Sequence, residues 1–327
     1  LAWLDAALSA AEKADAPVAL TAEAYEARGR ARRVRGRTHE ALADLGKARS
    51  LAATAKAPGL EARALAQIGN ALYQQGKLDD AMLCLEEGVR IVPVGDRATE
   101  GLLLSFRGFV AMDSHRFAEA EAFYEKAVSL HRELGNVRAE GSVLGNYGIL
   151  LRRQRKLPEA LAHYERALEI HRLAGSRGYE GNELGKIAGV LMEEGRLPEA
   201  RDHYARAIAI QREVGNRQSL GIFLGNCGIT ELLLSCPQRA ESLFSEATEI
   251  LRGLGDLRHE ALYLAYLGAT NVLQGRLESA GTNLAAALER LRDDPGFQEA
   301  AEILRLTLLW RQSSEVDRQF RESVSTF

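Results

Sequence analysis

Small, aromatic and polar positions recur along this chain at a fixed interval, and that interval predicts its elements. The segments Gly148 to Ala160 and Gly268 to Ala280 share one template. A small residue opens it, a polar turn follows, and an alanine closes it. Along the chain the small residue falls at Gly29, Gly69, Gly108, Gly148, Ala188, Gly228 and Gly268, in steps of 40, 39, 40, 40, 40 and 40. The closing alanine is Ala41, Ala81, Ala120, Ala160, Ala200, Ala240 and Ala280. A second small residue follows at Ala48, Gly88, Ala127, Ala167, Ala207, Ala247 and Ala287, and between the two stands Leu45, Leu85, Tyr124, Tyr164, Tyr204, Phe244 or Leu284. A repeat of this length is one helical hairpin per unit. The register predicts first helices near 62–75, 101–114, 141–154, 181–194, 221–234 and 261–274. Each is followed by a longer second helix, with turns at 76–77, 155–156 and 195–196.

Each position has a physical reason. Small residues let two antiparallel helices approach closely, and the aromatic or leucine fills the wedge between repeats. Pro158 and Pro198 fall in the first turn of a second helix, where a missing N–H costs little. Gly135, Gly175, Gly215 and Gly255 suit left-handed caps ending second helices. Asn136, Asn216 and Asp256 follow three of them and suit the start of the next helix. Glycines also recur inside first helices, as Gly141, Gly145, Gly148, Gly181, Gly185, Gly221, Gly225 and Gly228. Each costs about 1 kcal/mol against alanine, so something must approach the backbone there, a neighbouring helix or a ligand.

At these small–small–aromatic–small positions the chain resembles the tetratricopeptide repeat, over residues 22 to about 310. The usual unit has 34 residues, and six more lengthen the paired helices by roughly 9 Å in total. The 40-residue form is similar to the arrays of kinesin light chains and the Leu-Gly-Asn adaptor. It also resembles the sensor arrays of bacterial STAND-type regulators, which the phrases HRELGN, HYERALEIHR and VLGNYG resemble most. The resemblance implies an all-α fold, a right-handed superhelical solenoid of antiparallel helix pairs. Residues 1–21 would be a partial repeat or capping helix, 22–300 seven repeats, and 301–327 capping helices.

In such repeats the first helix faces a concave groove. One helical face carries Asn146, Lys186 and Asn226 at a shared position, with Asn182 and Arg153 on the same face. An asparagine amide both donates and accepts, so it can bracket a peptide backbone; the same residues could instead bond a neighbouring helix. First helices about 10 Å apart match about three residues of extended chain. Apolar groove positions are Leu102, Phe106, Phe109 and Met112, then Ile222, Ile229, Leu232, Leu233, Leu262, Tyr266, Val272 and Leu273. Left exposed, they would form a binding patch; twist and terminal helices could equally bury some of them.

Composition narrows the chemistry. A net charge of −3 gives no general attraction to nucleic acid or to an anionic membrane, and no apolar run is long enough to span one. Cys84, Cys227 and Cys236 are too scattered for a disulfide framework or a zinc site, which favours a cytoplasmic setting. Arginines number 35 against 7 lysines. They crowd Arg28, Arg30, Arg32, Arg33, Arg35 and Arg37, and again Arg152, Arg153 and Arg155 with Lys156. A solvated face is the plain reading, but Arg28 and Arg32 occupy positions that are apolar elsewhere, which points to contact with an upstream part. His163 and His203 share one repeat position and His131 and His171 another, as repeat-encoded surface residues rather than a metal cluster. No catalytic signature or cofactor motif is present.

The sequence therefore reads as a non-catalytic interaction module. It would bind a peptide or partner domain in its groove, within a larger bacterial signalling protein. The alternative is a small-effector sensor of a STAND-type ATPase or transcriptional regulator. Val316, Phe320, Val324 and Phe327 lie on one helical face, with Ser314 and Asp317 near a capping box. That helix would either cap the array or enter the groove as an internal ligand mimic.

Overall fold

The computed structural model describes residues 2–13, 16–293 and Gln312. Among them are fifteen α-helices and no strand, and the helices fall into two compact units divided at His163/Tyr164.

The first unit holds α1 (Ala2–Lys13), α2 (Val18–Val34), α3 (Thr38–Thr54), α4 (Pro58–Gln74), α5 (Leu78–Ile91), α6 (Arg97–Asp113), α7 (Phe117–Glu133), α8 (Val137–Arg153) and the start of α9 (Leu157–Leu173). Helices α2/α3, α4/α5 and α6/α7 pack as hairpins. The second unit holds the rest of α9, then α10 (Arg177–Glu193), α11 (Leu197–Val214), α12 (Arg217–Leu233), α13 (Pro237–Leu254), α14 (Leu257–Leu273) and α15 (Leu277–Asp293). Here the hairpins are α10/α11, α12/α13 and α14/α15.

The register is as expected and the lengths are not. First helices begin four residues before the expected starts and end one residue earlier, so first and second helices are nearly equal, 17 against 17 or 18 residues in the second unit. The early start is capped. Asp96, Asn136, Asn216 and Asp256 accept the backbone N–H of Thr99, Ala139, Ser219 and His259 at 3.1–3.4 Å, satisfying a donor that the first turn leaves free. That first turn is mostly polar and outside the core, so no apolar period marked it. Gly135, Gly175, Gly215 and Gly255 close the second helices with φ between 62° and 71°. The single 39-residue step is absorbed by α5, which stops after 14 residues and hands over through Pro93 and Gly95.

The small residues are sockets. A Cβ on Gly108 or Gly228 would meet the Tyr124 or Phe244 ring closer than 3.0 Å, and one on Gly69 or Gly268 would meet the Leu85 or Leu284 side chain at 2.7 Å. Four more glycines inside first helices have the same explanation. Gly181 receives Gln211, Gly185 receives Phe223, Gly221 receives Leu251 and Gly225 receives Tyr263. Of the two readings, close approach of a neighbouring helix holds. The sockets pack rings and leucines at interior density, and these side chains are almost all fully buried.

Candidate functional site

The partly exposed stripe of each first helix runs about a quarter turn from its sockets. In the first unit it carries Phe106 and Phe109 on α6 and Asn146 and Arg153 on α8, all half-buried except the exposed Arg153. The Phe106 and Phe109 rings lie 6.4 Å apart, and Phe109 meets the edge of Tyr124 at 6.1 Å and Tyr73 at 5.9 Å. At the end of this stripe Asp113 accepts hydrogen bonds from Tyr73 Oη at 2.7 Å and from Arg153. Burial, then Asp113, raises the Tyr73 phenol above its usual range, so it stays a neutral donor. Met112, expected in the groove, is instead part of the core, at 2% exposure.

In the second unit the same stripe carries Asn182 and Lys186 on α10, Ile222, Asn226 and Leu233 on α12, and Tyr266 on α14. Several of its polar groups are engaged by neighbouring helices. Asn182 Oδ1 accepts from Gln211 Nε2 at 2.9 Å, and Asn226 Oδ1 accepts from the Tyr263 hydroxyl at 2.9 Å. Lys186 Nζ donates to the buried Glu183 at 2.7 Å and lies over the Tyr164 ring. Ile222, Ile229, Leu232, Leu262 and Tyr266 pack partly against the core. Tyr266 is stacked on Phe244 at 5.7 Å. Leu233 and Leu273 stand out at 56% and 70% exposure.

Arg28 and Arg32, expected to contact an upstream part, meet Asp5 of the upstream α1 and, more closely, Asp44 of α3. Arg28 donates to both oxygens of Asp44 at 2.8 and 2.7 Å and to Asp5 of α1 at 2.9 Å, and Arg32 donates to Asp44 at 2.7 Å. In the repeat register Arg28 and Asp44 face each other, as do Arg107 and Phe123 and then Tyr147 and His163. Those later pairs make a cation–π contact at 4.1 Å and an edge contact at 4.6 Å. One contact thus changes chemistry from hairpin to hairpin while keeping its geometry. The signal was available in the sequence, because Asp44 is the one acid among the residues facing that position.

The histidines at the second position are interior rather than surface groups. His131 fits beside Gly101, and His171 is fully buried and stacked on Tyr179 at 4.9 Å. Burial lowers both, His171 to about 4, with Lys186 adding to its shift. His163 and His203 are half-buried and their Nδ1 atoms lie 2.9 and 3.0 Å from the carbonyls of Glu159 and Glu199.

A repeated ion pair also escaped the sequence reading. Arg132, Arg172 and Arg252, in the last turn of a second helix, donate to Glu140, Glu180 and Glu260 of the next first helix at 2.9–3.0 Å. Among the described residues no group of three or more metal-ligating side chains converges, and no helix is long and apolar enough to cross a membrane.

A tetratricopeptide repeat profile matches residues 99–172 and 183–253, and a second profile of the same repeat matches residues 62–92. No curated protein matches the chain in sequence. Among solved structures it is similar to a Signal Transduction ATPase with Numerous Domains protein with a tetratricopeptide repeat sensor from Pyrococcus horikoshii. The TM-score is 0.68 at 17% identity, over 89% of this chain and 44% of that one. A Rap protein complexed with Competence and Sporulation Factor gives 0.65 at 12% identity, over 94% and 92% of the two chains. The apo quorum sensor NprR from B. thuringiensis gives 0.62 at 16%, over 85% and 81%. At such identities the likeness is one of fold.

Proposed function

Because the chain belongs to the tetratricopeptide repeat family and is a protein-interaction module, we propose that the exposed first-helix stripe of each unit receives a peptide segment of a protein partner. The carrying observation is where the repeat varies. Within each hairpin the socket is Gly or Ala and its plug Leu, Tyr or Phe, whereas one stripe position reads Phe106, Asn146, Lys186, Asn226 and Tyr266 in succession. Packing does not demand that variety. A surface reading different side chains of an extended partner does. Leu233 and Leu273 support the reading, since large exposed leucines on one face mark a contact surface.

The reading is non-catalytic, with no cofactor, and places the module in the cytoplasm as part of a bacterial signalling protein. The Rap protein and NprR, named for a bound factor and for quorum sensing, favour a peptide as the ligand. The STAND similarity, which spans under half of that protein, favours a second form of the proposal in which this chain is the sensor portion of a larger ATPase or regulator.

The test is a displayed peptide library panned against the purified chain. Enriched peptides should bind the wild type and lose at least tenfold in affinity to the double variant Leu233→Asp/Leu273→Asp, with its melting temperature unchanged because both side chains are solvent-facing. Failure to enrich any peptide, or equal binding to the variant, would refute the proposal.

A further inference from the structure

On the side of α12 away from the stripe lies a cavity of about 360 Å³ walled by α11 and α13. Leu224 and Cys227 are on its floor, and Arg201, Arg212, Arg239 and Glu231 complete its polar lining. Helical geometry separates the two faces, since residues 224, 227 and 231 project roughly opposite to 222, 226, 229 and 233.

Three departures from the chain's own repeat converge there. Where Glu231 stands, the preceding first helices carry Ala111, Leu151 and Leu191. Where Arg239 stands, the preceding second helices carry Glu119, Glu159 and Glu199. Where Arg132, Arg172 and Arg252 have a glutamate on the following helix, Arg212 has Leu220, and its guanidinium turns instead to Glu246 at 2.5 Å.

Glu231 is 1% exposed and only one of its oxygens is engaged. Oε1 lies 3.5 Å from Arg239, and Oε2 has no hydrogen-bond partner. In the first hairpin Arg32 and Glu40 form the same pair with the charges exchanged, at 3.6 Å, and there Asp44 accepts a hydrogen bond from the half-buried Arg32 at 2.7 Å. The residue equivalent to Asp44 beside Glu231 is Leu243, which cannot donate. A buried carboxylate oxygen left without a donor is costly, and leucine at this position would avoid the cost. One repeat earlier a similar cavity of about 430 Å³ is floored by Leu168 and Ile187, and the carboxylates in its lining, Glu165 and Glu169, are both exposed.

We infer that this cavity is a small-molecule site for an α-amino acid with an apolar side chain. The ammonium donates to Glu231 Oε2. The carboxylate is taken by the lining arginines, whose planar fork matches it. The apolar side chain lies on Leu224 and Cys227. The volume is at the low end of small-molecule pockets, about 300–1,000 Å³, as suits a ligand of this size. The site is independent of the peptide reading, since it uses the other face of α12.

Calorimetric titration of the purified chain with L-leucine, L-methionine and L-phenylalanine tests this. At least one should bind, and its analogues lacking the amine or the carboxylate (4-methylpentanoate and 3-methylbutylamine for leucine) should bind at least tenfold more weakly. Glu231→Leu and Arg239→Glu restore the residues of the preceding repeats. Both should fold, the former with a melting temperature at or above that of the wild type, and both should lose binding at least tenfold. Absence of binding by all three amino acids, equal binding of a half-ligand, or unchanged affinity in Glu231→Leu would overturn the assignment.

Discussion

Replacing Gly225 with alanine separates two opposed effects whose sizes follow from the structure. In an isolated helix the change would stabilise by about 1 kcal/mol, the usual penalty of an interior glycine. In α12 the new methyl would fall closer than 3.0 Å to the Tyr263 ring. That ring cannot step aside cheaply. It is fully buried, and its hydroxyl donates to the Ile222 carbonyl at 3.0 Å and to Asn226 Oδ1 at 2.9 Å. Overpacking a filled core costs about 1–3 kcal/mol, and a displaced hydroxyl forfeits about 1 kcal/mol more. The clash wins, and Gly225→Ala should destabilise by about 2 kcal/mol in urea unfolding. In a Tyr263→Ala background the same change should instead stabilise by about 1 kcal/mol, because the ring that fills the socket is gone. Exposed Gly46 of α3 is the control. Nothing lies within 4 Å of its would-be Cβ, so Gly46→Ala should stabilise by about 0.5–1 kcal/mol. A Gly225→Ala protein as stable as the wild type, or an equal cost with and without the Tyr263 ring, would refute the socket account.

Other expectations follow from the same structure. Asp44→Ala leaves two mostly buried guanidiniums facing each other, so it should cost about 3 kcal/mol in urea unfolding, whereas Arg37→Ala, in an exposed pair with Glu40, should cost under about 1 kcal/mol. His171 titrates near 6.5 in the unfolded chain and about 4 in the folded one, so the unfolded state binds the extra proton between these values. Its contribution is complete above pH 6.5 and is lost as pH falls toward 4, by at most about 3 kcal/mol. His171→Gln, patterned on Gln211 in the equivalent place, should flatten the fall in urea midpoint between pH 7 and 4.5; an unchanged slope would exclude His171 as its source. Tyr73→Phe removes one of the two donors to Asp113 and should cost about 1 kcal/mol in a thermal melt, without altering the Phe106–Phe109 face.

The hairpin register was legible because a socket and its plug must match in size in every copy, so Gly108 and Tyr124 or Gly228 and Phe244 repeat as pairs in the sequence. Helix starts were not, because α8 and α12 begin on turns that bury little; Asn136 and Asn216 marked the true starts more reliably than the apolar pattern. The burial of His131 and His171 was hidden by their polarity, since nothing within their own helix says that Gly101 or Tyr179 encloses them. The engagement of Asn226 was hidden for a different reason. Its partner Tyr263 lies one repeat away, on a helix whose facing residue differs in each copy. The peptide-bracketing role proposed from spacing alone therefore has to work through the amide nitrogen of Asn226 and through Asn146. Residues 301–327, with the Val316–Phe327 face expected as a cap or ligand mimic, lie outside the described residues, save Gln312.

The ring-in-glycine contacts span short stretches of chain, from 108 to 124 within a hairpin and from 225 to 263 between neighbours. Loop closure at such separations is entropically cheap. Folding should therefore begin at whichever hairpin closes first and spread to its neighbours, rather than waiting for distant segments to meet. The search time is then set by one hairpin and its next neighbour, so adding a further 40-residue copy would lengthen the module without slowing its nucleation.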